Sequence, residues 1–375
     1  MLLTIIVFLI ILSIMVLAHE LGHFLVAKKF GLIPREFGIG FRPRAYGVYK
    51  NWQGKWKTVK GSKEVKDAAD TIYSVNWIPL GGFVELGEDE AAAGDPNHFN
   101  SKPVWKRFSI ISAGVIMNVI LAAILISFGF MIGLPQVLDD VRPEALVSGQ
   151  KIQIVEVQPE TPAQTAGFKI GDTIANIDGR EFTDYKKLQN YTDEKTGQEL
   201  NYKIKRAGEE MNIKVVSELR ADTGRGGIGI AIVETGLVKY PWYLAVWEGI
   251  KTTLFLTWAI IVAFYNLVKG LIVGTGISAQ VAGPIGIAAM TGEVTKMGFV
   301  YLLQFTALLS VNLAVINFLP IPALDGGRAL FLIIEKIKGS PVKKETEAFI
   351  HNLGFTLLMV FVLFVTFKDV VRFWK

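Results

Sequence analysis

Four long apolar runs, separated by mixed polar segments, dominate the pattern of hydrophobic and polar positions along the chain. Because a bilayer core of roughly 30 Å is crossed by about 20 apolar residues in a helix, each run predicts a membrane-spanning helix. The first run has neither the preceding positive charge nor the closing A-x-A pattern of a cleaved signal peptide, so we predict that it remains as a helix. The apolar cores are residues 2–18, 108–134, 299–319 and 349–367, and with their flanks we assign the spans to 1–27, 106–134, 298–330 and 347–368.

Basic residues gather at one end of each predicted span. Cytoplasmic segments are enriched in Lys and Arg, so three basic clusters predict three cytoplasmic segments and place residues 139–238 outside the cytoplasm. That region also switches to a mixed composition typical of a soluble α+β domain. The clusters are Lys28, Lys29 and Arg35; Lys102, Lys106 and Arg107; and Lys336, Lys338, Lys343 and Lys344.

A fifth apolar stretch, residues 242–274, is long enough to cross but carries Glu248, Lys251 and Lys269. If it crossed, the basic cluster between the last two spans would emerge outside, against the positive-inside tendency. We therefore predict an amphipathic or peripheral helix on the outer side. The predicted fold is a polytopic α-helical membrane protein with four transmembrane helices, a small membrane-associated β-hairpin region at 35–90 and one exported α+β domain.

Composition narrows the chemistry. Of the 375 residues, 51% are hydrophobic and 19% are charged, which excludes an ordinary soluble chain. The net charge of +5 comes from Lys and Arg beside apolar segments, which favours contact with anionic headgroups of the lipid bilayer and excludes nucleic acid as a partner. The chain has no cysteine, so any metal must be held by His and carboxylate side chains.

The segment at 35–90 combines aromatic residues with Gly-rich turns, which predicts a small sheet or a pair of hairpins. Its aromatic side chains suit a membrane interface. An unpaired strand edge around Gly38 and Gly40 would allow a peptide to add as a further strand, so these glycines are predicted substrate-binding residues. A soluble cytoplasmic hairpin with ordinary core aromatics fits the same pattern.

The end of the first apolar run reads His19-Glu20-Leu21-Gly22-His23. The i, i+4 spacing places both imidazoles on one face of a helix, and Glu20 projects about 100° away from His19. Zinc held by such a pair would lower the pKa of its bound water to about 7, and Glu20 could take the proton. A carboxylate at membrane depth costs on the order of 3 kcal/mol, which favours a functional site over a chance match.

A catalytic zinc needs a third protein ligand. Asp325 is the strongest candidate, because it follows the third span on the same cytoplasmic side as His19 and His23. If residues 242–274 crossed the bilayer, Asp325 would instead emerge on the opposite side. The remaining histidines, His98 in a polar loop and His351 at the start of the fourth span, have no ligand-like neighbourhood.

Two prolines precede Asp325 at the end of the third span. Pro320 and Pro322 cannot donate backbone hydrogen bonds and restrict the residues before them, so the helix must open there. Open backbone at membrane depth is tolerated where it is buried in protein or lines a cavity. The opened segment could therefore present a peptide-binding edge, and Gly326 and Gly327 permit close backbone approach after it.

These features resemble the site-2 protease family of intramembrane metalloproteases, in its bacterial regulated-proteolysis branch. The resemblance rests on His-Glu-x-x-His in the first span, Asn-x-x-Pro-x-Pro-x-Leu-Asp-Gly-Gly ending a later span, and an exported domain between them. It implies Zn2+ as cofactor, with His19, His23 and Asp325 as ligands and Glu20 as the catalytic base. It also implies a place in the bacterial cytoplasmic (inner) membrane with the active site toward the cytoplasm.

The same resemblance assigns substrate positioning to Asn317, Pro320 and Pro322. Family members often carry Gly-Pro-x-x-Asn in the second span, where this chain has Gly114 to Asn118 without the proline. The substrates that the family implies are transmembrane proteins already shortened by another protease, such as anti-sigma factors or remnant signal peptides.

The exported region resembles a PDZ domain of the circularly permuted bacterial type, on the sequence between 161 and 180. Strands are predicted at 152–157 and 173–177, and a helix start at 185–190 beside a groove. PDZ grooves bind peptides or C-terminal tails by strand addition, although the domain could equally act only as a size filter. The predicted turn glycines are Gly167 and Gly171.

The sequence thus favours an intramembrane zinc metalloprotease that hydrolyses a peptide bond within or near a substrate's transmembrane segment. The alternative is a membrane-anchored PDZ binding module with a structural or vestigial metal site. A metal transporter would line its His and Asp residues along a path instead of converging them at one depth. An unrelated membrane protease would lack the Leu-Asp-Gly-Gly context.

Overall fold

The computed structural model describes residues 2–87, 98–139, 141–206, 208–220, 224–274 and 282–373. They belong to two compact units, one formed by Met1–Ser127 with Val246–Lys375 and the other by Phe128–Ala245. Residues 88–90, at the end of the predicted hairpin region, and 95–97, before His98, lie outside the described residues.

Helices make up most of the first unit, and two short helices belong to the second. Described helices, in chain order, are α1 (Leu2–Lys29), α2 (Val104–Ile132), α3 (Pro162–Ala166), α4 (Tyr185–Glu194), α5 (Trp242–Val273), α6 (Pro284–Met297), α7 (Phe299–Phe318), α8 (Asp325–Lys338) and α9 (Lys344–Phe373). By length and composition, five of them are apolar enough to cross a membrane: α1, α2, α5, α7 and α9. Four coincide with the predicted spans, and α5 covers the stretch that we expected to be peripheral.

The third predicted span is two helices instead of one. The helix opens where the prolines require it, because α7 ends at Phe318 and α8 begins at Asp325. The α6 helix was not predicted, and it packs against α1, α7 and α9. A side-chain carbon at Gly292 of α6 would lie 2.8 Å from Thr4 of α1, so these two helices are in close contact.

The region between α1 and α2 is a three-stranded antiparallel sheet of order β2-β1-β3. The strands are β1 (Glu36–Lys50), β2 (Trp56–Lys60) and β3 (Ile72–Glu85). The free edge expected around Gly38 is wrong, because residues 36–39 pair with both ends of β3, at 72–75 and at 82–85. A turn before strand β2 is closed by the hydrogen bond from Gly54 N–H to Asn51 O.

A buried ion pair joins two positions of the long strand β1. Glu36 is 2% exposed and accepts a hydrogen bond from Arg44 Nε at 2.9 Å. Burial alone would raise the pKa of Glu36, but the hydrogen bonds and charge of Arg44 hold that pKa below its ordinary value. The pair therefore stabilises the sheet above the ordinary carboxyl pKa and is lost as the pH falls through the lowered value.

The second unit is an α+β domain. Its strands are β4 (Leu134–Val137), β5 (Leu146–Val157), β6 (Thr173–Ile177), β7 (Arg180–Glu181), β8 (Glu199–Arg206), β9 (Glu209–Val216), β10 (Glu218–Leu219), β11 (Gly226–Gly227) and β12 (Ile230–Lys239). The main sheet has the order β4-β12-β5-β6-β8-β9, with β7 on β6.

Local structure in the second unit follows the sequence closely. The predicted strands correspond to β5 and β6, and the predicted helix start corresponds to α4. Gly167 and Gly171 have φ of 86° and 93°, the left-handed turn conformation that glycine adopts at low cost. Alternating residues of β5, β6 and β8 are fully buried against α3 and α4, among them Ile154, Ile177 and Tyr202.

Candidate metal centre

Three potential metal ligands converge inside the helical unit. His19 Nε2 lies 2.9 Å from Asp325 Oδ2, and His23 Nε2 lies 3.2 Å from the same oxygen. The two imidazole Nε2 atoms are 3.1 Å apart. Both histidines are 6% exposed, so the cluster is shielded from solvent. The structure therefore brings together the three residues predicted as ligands, from two elements separated by about 300 residues.

The donor set fits zinc. Ligand atoms in a tetrahedral site with bonds of about 2.0–2.1 Å lie about 3.3 Å from one another, close to the spacing seen here. Two imidazoles and one carboxylate also match a three-ligand site that keeps a position for water. Zn2+ would be held by Nε2 of His19, Nε2 of His23 and the carboxylate of Asp325.

Glycines make room for the cluster. A side-chain carbon at Gly114 of α2 would lie 2.5 Å from His23 Nε2 and 2.7 Å from His19 Cε1, so the histidines lie against bare backbone. Gly22 packs on the Ala113 backbone of the same helix. Any larger residue at Gly22 or Gly114 would push α1 away from α2 and move the imidazoles.

The far side of each imidazole is also held by α2. His23 Nδ1 lies 2.8 Å from Ile110 O, so it carries the proton and donates it. His19 Nδ1 lies 3.3 Å from the amide of Asn118, whose Oδ1 is buried and, among the described residues, has no hydrogen-bond partner. A half-turn of that amide lets Oδ1 accept the Nδ1 proton. Both Nε2 lone pairs then face the ligand cluster, as metal-binding histidines require.

Glu20 points toward the sheet. Its Oε2 accepts a hydrogen bond of 3.0 Å from the Val84 backbone N–H of β3. The carboxylate is thereby fixed next to the cluster by a backbone group, which every residue except proline would supply at position 84. The strand that supplies it, residues 82–85, pairs with β1 on one side and faces α1 on the other.

The Asp325 side of the site depends on tight turns. Asn317 is the next-to-last residue of α7, and Pro320 and Pro322 lie in the open segment before α8. A side-chain carbon at Gly326 would collide with Leu319 O, and one at Gly327 would collide with Ile321 O. The open segment therefore folds back on the start of α8, which places Asp325 in the first turn of that helix.

The predicted substrate glycines lie inside the sheet. A side-chain carbon at Gly38 would lie 2.7 Å from Asn76 Nδ2, and Gly40 has a φ of 79°. Their contacts are with β3, so the structure does not place them on a free edge.

Sequence reasoning missed Asn118, the Val84 amide and His351, whose Nδ1 accepts a hydrogen bond from Ala323 N–H. Only Asn118 had a signal, because it closes the Gly114-to-Asn118 element that the family resemblance singles out, and Ile110, Gly114 and Asn118 recur every four residues on one face of a helix. The remaining histidine, His98, caps a short 3-10 helix, where its Nδ1 accepts from Asn100 N–H at 3.3 Å.

Comparison with known proteins identifies the family. The model of peptidase family M50 matches residues 7–58 and 61–361. A "Regulator of sigma-W protease RasP" of Bacillus subtilis is 31% identical over 98% of both chains. A putative zinc metalloprotease of Clostridium acetobutylicum is 31% identical over 96% of this chain and 95% of its own. Similar solved structures include the PDZ domain of an SdrC-like protein of Listeria monocytogenes, 23% identical over 23% of this chain and 92% of that one, with a TM-score of 0.22.

The two curated relatives differ in how they align. The Bacillus alignment runs over 455 positions, at least 80 more than this chain has, so that relative carries sequence without a counterpart here. The Clostridium alignment runs over 362 positions. Because the family model and both relatives cover nearly the whole chain, this protein belongs to peptidase family M50, the site-2 proteases, and is a metalloendopeptidase.

Proposed function

We propose that this protein is an intramembrane zinc protease that hydrolyses a peptide bond within or near the transmembrane segment of a single-span membrane protein. The observation that carries the proposal is that Asp325 converges with His19 and His23, which flank Glu20 on the long hydrophobic helix α1. The substrate has already been shortened by another protease, as an anti-sigma factor or remnant signal peptide would be. The Bacillus relative's name, which refers to regulation of sigma-W, supports this substrate class.

The residues divide the chemistry between them. Bound zinc supplies Lewis-acid activation of water for attack on the scissile carbonyl. Glu20 takes the proton of the attacking water and delivers it to the leaving amine. The Val84 N–H occupies Oε2 of Glu20, so the proton travels on the other carboxylate oxygen. Ile110 and Asn118 keep the imidazoles in the orientation that directs both Nε2 atoms to the metal.

Substrate reaches Glu20 along the outer edge of β3. A transmembrane helix must unwind before a peptide bond is exposed, because its backbone groups are bonded within the helix. Residues 82–85 lie beside Glu20, so an unwound segment that reaches the cluster passes close to this strand. Gly38 and Gly40 lie in the neighbouring strand β1. Asn317, Pro320 and Pro322 lie at the end of α7 and in the open segment before Asp325, where they would position the substrate.

Four helices cross the membrane in this proposal, and α5 lies on the outer surface. Contacts within the helical unit support it. Gly292 of α6 packs against Thr4, which is about 22 Å along α1 from His19. The first turn of α6 packs against Asp369, near the end of α9 that is remote from Pro322. Since α6 then lies at the outer ends of α1 and α9 and follows α5 in the chain, these contacts support an outer location for the end of α5.

The α+β domain is exported and acts as a PDZ module. Within the described chain, residues 230–233 of β12 pair with β5 on one side only, whereas Glu234 O also accepts a hydrogen bond from Leu138 N–H. The start of α4 is tied to the same strand by a 2.8 Å bond from Tyr185 N–H to Glu234. A peptide or C-terminal tail can therefore add to β12 beside α4.

Product mapping tests the proposed function. The purified protein in lipid vesicles is incubated with a truncated single-span substrate, and the fragments are identified by mass spectrometry. We expect a cut within or next to the hydrophobic segment, with faster cleavage when a Gly-Pro pair weakens the substrate helix. Cleavage confined to the soluble part of the substrate would overturn the proposal.

A further inference from the structure

The short turn that precedes Asp325 is conformationally strained. Ala323 has a φ of 76°, in the left-handed region that residues with a side-chain carbon rarely occupy. It lies between Pro322 and the first residues of α8. A conformation of this kind persists only where surrounding contacts enforce it.

The enforcing contact comes from α9. The Ala323 N–H donates a 2.9 Å hydrogen bond to His351 Nδ1, across 28 positions of sequence. The His351 ring lies 5.4 Å from the ring of Phe331 in α8 and has Glu347 one turn earlier, with Nε2 4.0 Å from its carboxylate. Acceptance at Nδ1 places the ring proton on Nε2, toward Glu347.

One turn beyond His351, α9 is shaped to fit the same segment. A side-chain carbon at Gly354 would lie 2.8 Å from Pro322 O, so only glycine allows α9 to approach this closely. His351 and Gly354 are three residues apart and therefore on one face of the helix. That face of α9 therefore contacts both Pro322 and Ala323.

We propose that His351 is a positioning residue, which holds the Ala323 turn in its left-handed conformation and so aims Asp325 at the two histidines. The inference rests on the proposed function, because it assumes that Asp325 is a zinc ligand. Ala323 is separated from Asp325 by one residue, Leu324, whose N–H bonds to Ile321 O at 3.2 Å. Relaxation of the Ala323 backbone would therefore rotate the start of α8. His351 lies outside the cluster of His19, His23 and Asp325, so it would act through Asp325.

Substitutions at two positions test this assignment. His351→Leu removes the acceptor, whereas His351→Asn keeps an oxygen near the place of Nδ1. Ala323→Gly removes the strain that the acceptor offsets. Asn352→Leu, an exposed neighbour on α9, is the matched control. Each variant is purified in the full chain and assayed for zinc retained against graded EDTA, for thermal unfolding and for substrate cleavage.

We expect His351→Leu to lower zinc affinity and cleavage about tenfold, and His351→Asn to restore most of both. In an Ala323→Gly parent, His351→Leu should cost less than about threefold. Equal losses of zinc affinity and cleavage for His351→Leu and His351→Asn would overturn the proposal. The same loss from His351→Leu in the wild-type and Ala323→Gly chains would also overturn it. Zinc retention separates this failure from failure of the proposed function, because a wild-type chain that binds zinc without cleaving would sink only the latter.

Discussion

At the scale of single residues, each proposed metal ligand is oriented by a contact on the side that faces away from the cluster. His23 is anchored to the Ile110 carbonyl, His19 faces the amide of Asn118, and Asp325 begins a helix whose preceding turn is fixed by α9. Such outer contacts orient the ligating atoms and raise ligand basicity. The orienting contacts therefore come from α2 and α9, whereas the ligands themselves lie on α1 and α8.

Substitution of Asp325 tests the third ligand. Asp325→Asn keeps the shape of the side chain but removes the negative charge that binds zinc. We expect zinc affinity to fall by more than the ten- to hundredfold typical of outer-layer changes. Metal analysis of the purified chain measures it. Glu64→Gln, which changes an 81% exposed carboxylate, serves as control, and equal zinc content in the two variants would contradict the assignment.

The Val84 amide can be tested by removing its hydrogen. Val84→Pro deletes the N–H that bonds Glu20, at a position where that group faces α1. Proline is tolerated on the unpaired side of an edge strand, so the sheet should persist. We expect cleavage to fall roughly 10- to 100-fold, as misplacement of a catalytic group implies, with zinc binding retained. Val84→Ala, which keeps the N–H, should lose far less; if the two variants lose equally, Glu20 is held by something else.

At the scale of elements, the helices with long apolar runs and the start of α4 were predictable, and α6 was not. The α6 helix escaped prediction because its sequence, from Pro284 to Met297, mixes small, polar and apolar residues. Its small residues have their reason in tertiary contacts: Gly292 fits against α1, and Gly286 fits against α9. Patterns in one segment cannot reveal neighbours that lie far away in sequence.

The buried carboxylate of Asp369 should stabilise the docking of α6. It is 6% exposed and accepts a 2.8 Å hydrogen bond from Gly286 N–H in the first turn of α6. Asp369→Ala leaves that donor buried without its partner, which costs about 1–3 kcal/mol. We expect a lower thermal unfolding temperature in detergent. Asp369→Asn keeps an acceptor oxygen and should lose less; an unchanged unfolding temperature for Asp369→Ala would refute this role.

At the scale of the whole molecule, the histidine pair could be predicted from local periodicity, and Asp325 from its motif and from the positive-inside tendency. The contacts of Glu20 with Val84 and of His19 with Asn118 could not, because they join positions 64 and 99 residues apart. The expected strand edge failed for a similar reason: only the fold shows that β3 returns along both sides of β1.

Because the chain has no cysteine, single cysteines can map its topology. Lys195→Cys in the α+β domain and Lys269→Cys near the end of α5 should react with a membrane-impermeant maleimide in intact cells. Lys343→Cys, between α8 and α9, should react only after permeabilisation. This pattern follows from four crossings, with α5 on the outer surface. Protection of Lys269→Cys together with labelling of Lys343→Cys would require five.

The most direct test of the central claim is the cleavage rate of the Glu20→Gln protein at full zinc occupancy. Glutamine keeps the shape of the side chain but cannot take a proton, while the three zinc ligands are untouched. We predict one zinc per chain, as in the wild type, and cleavage of a single-span substrate reduced by at least 10²-fold, the usual contribution of a general base. Cleavage at the wild-type rate with zinc bound would contradict the account.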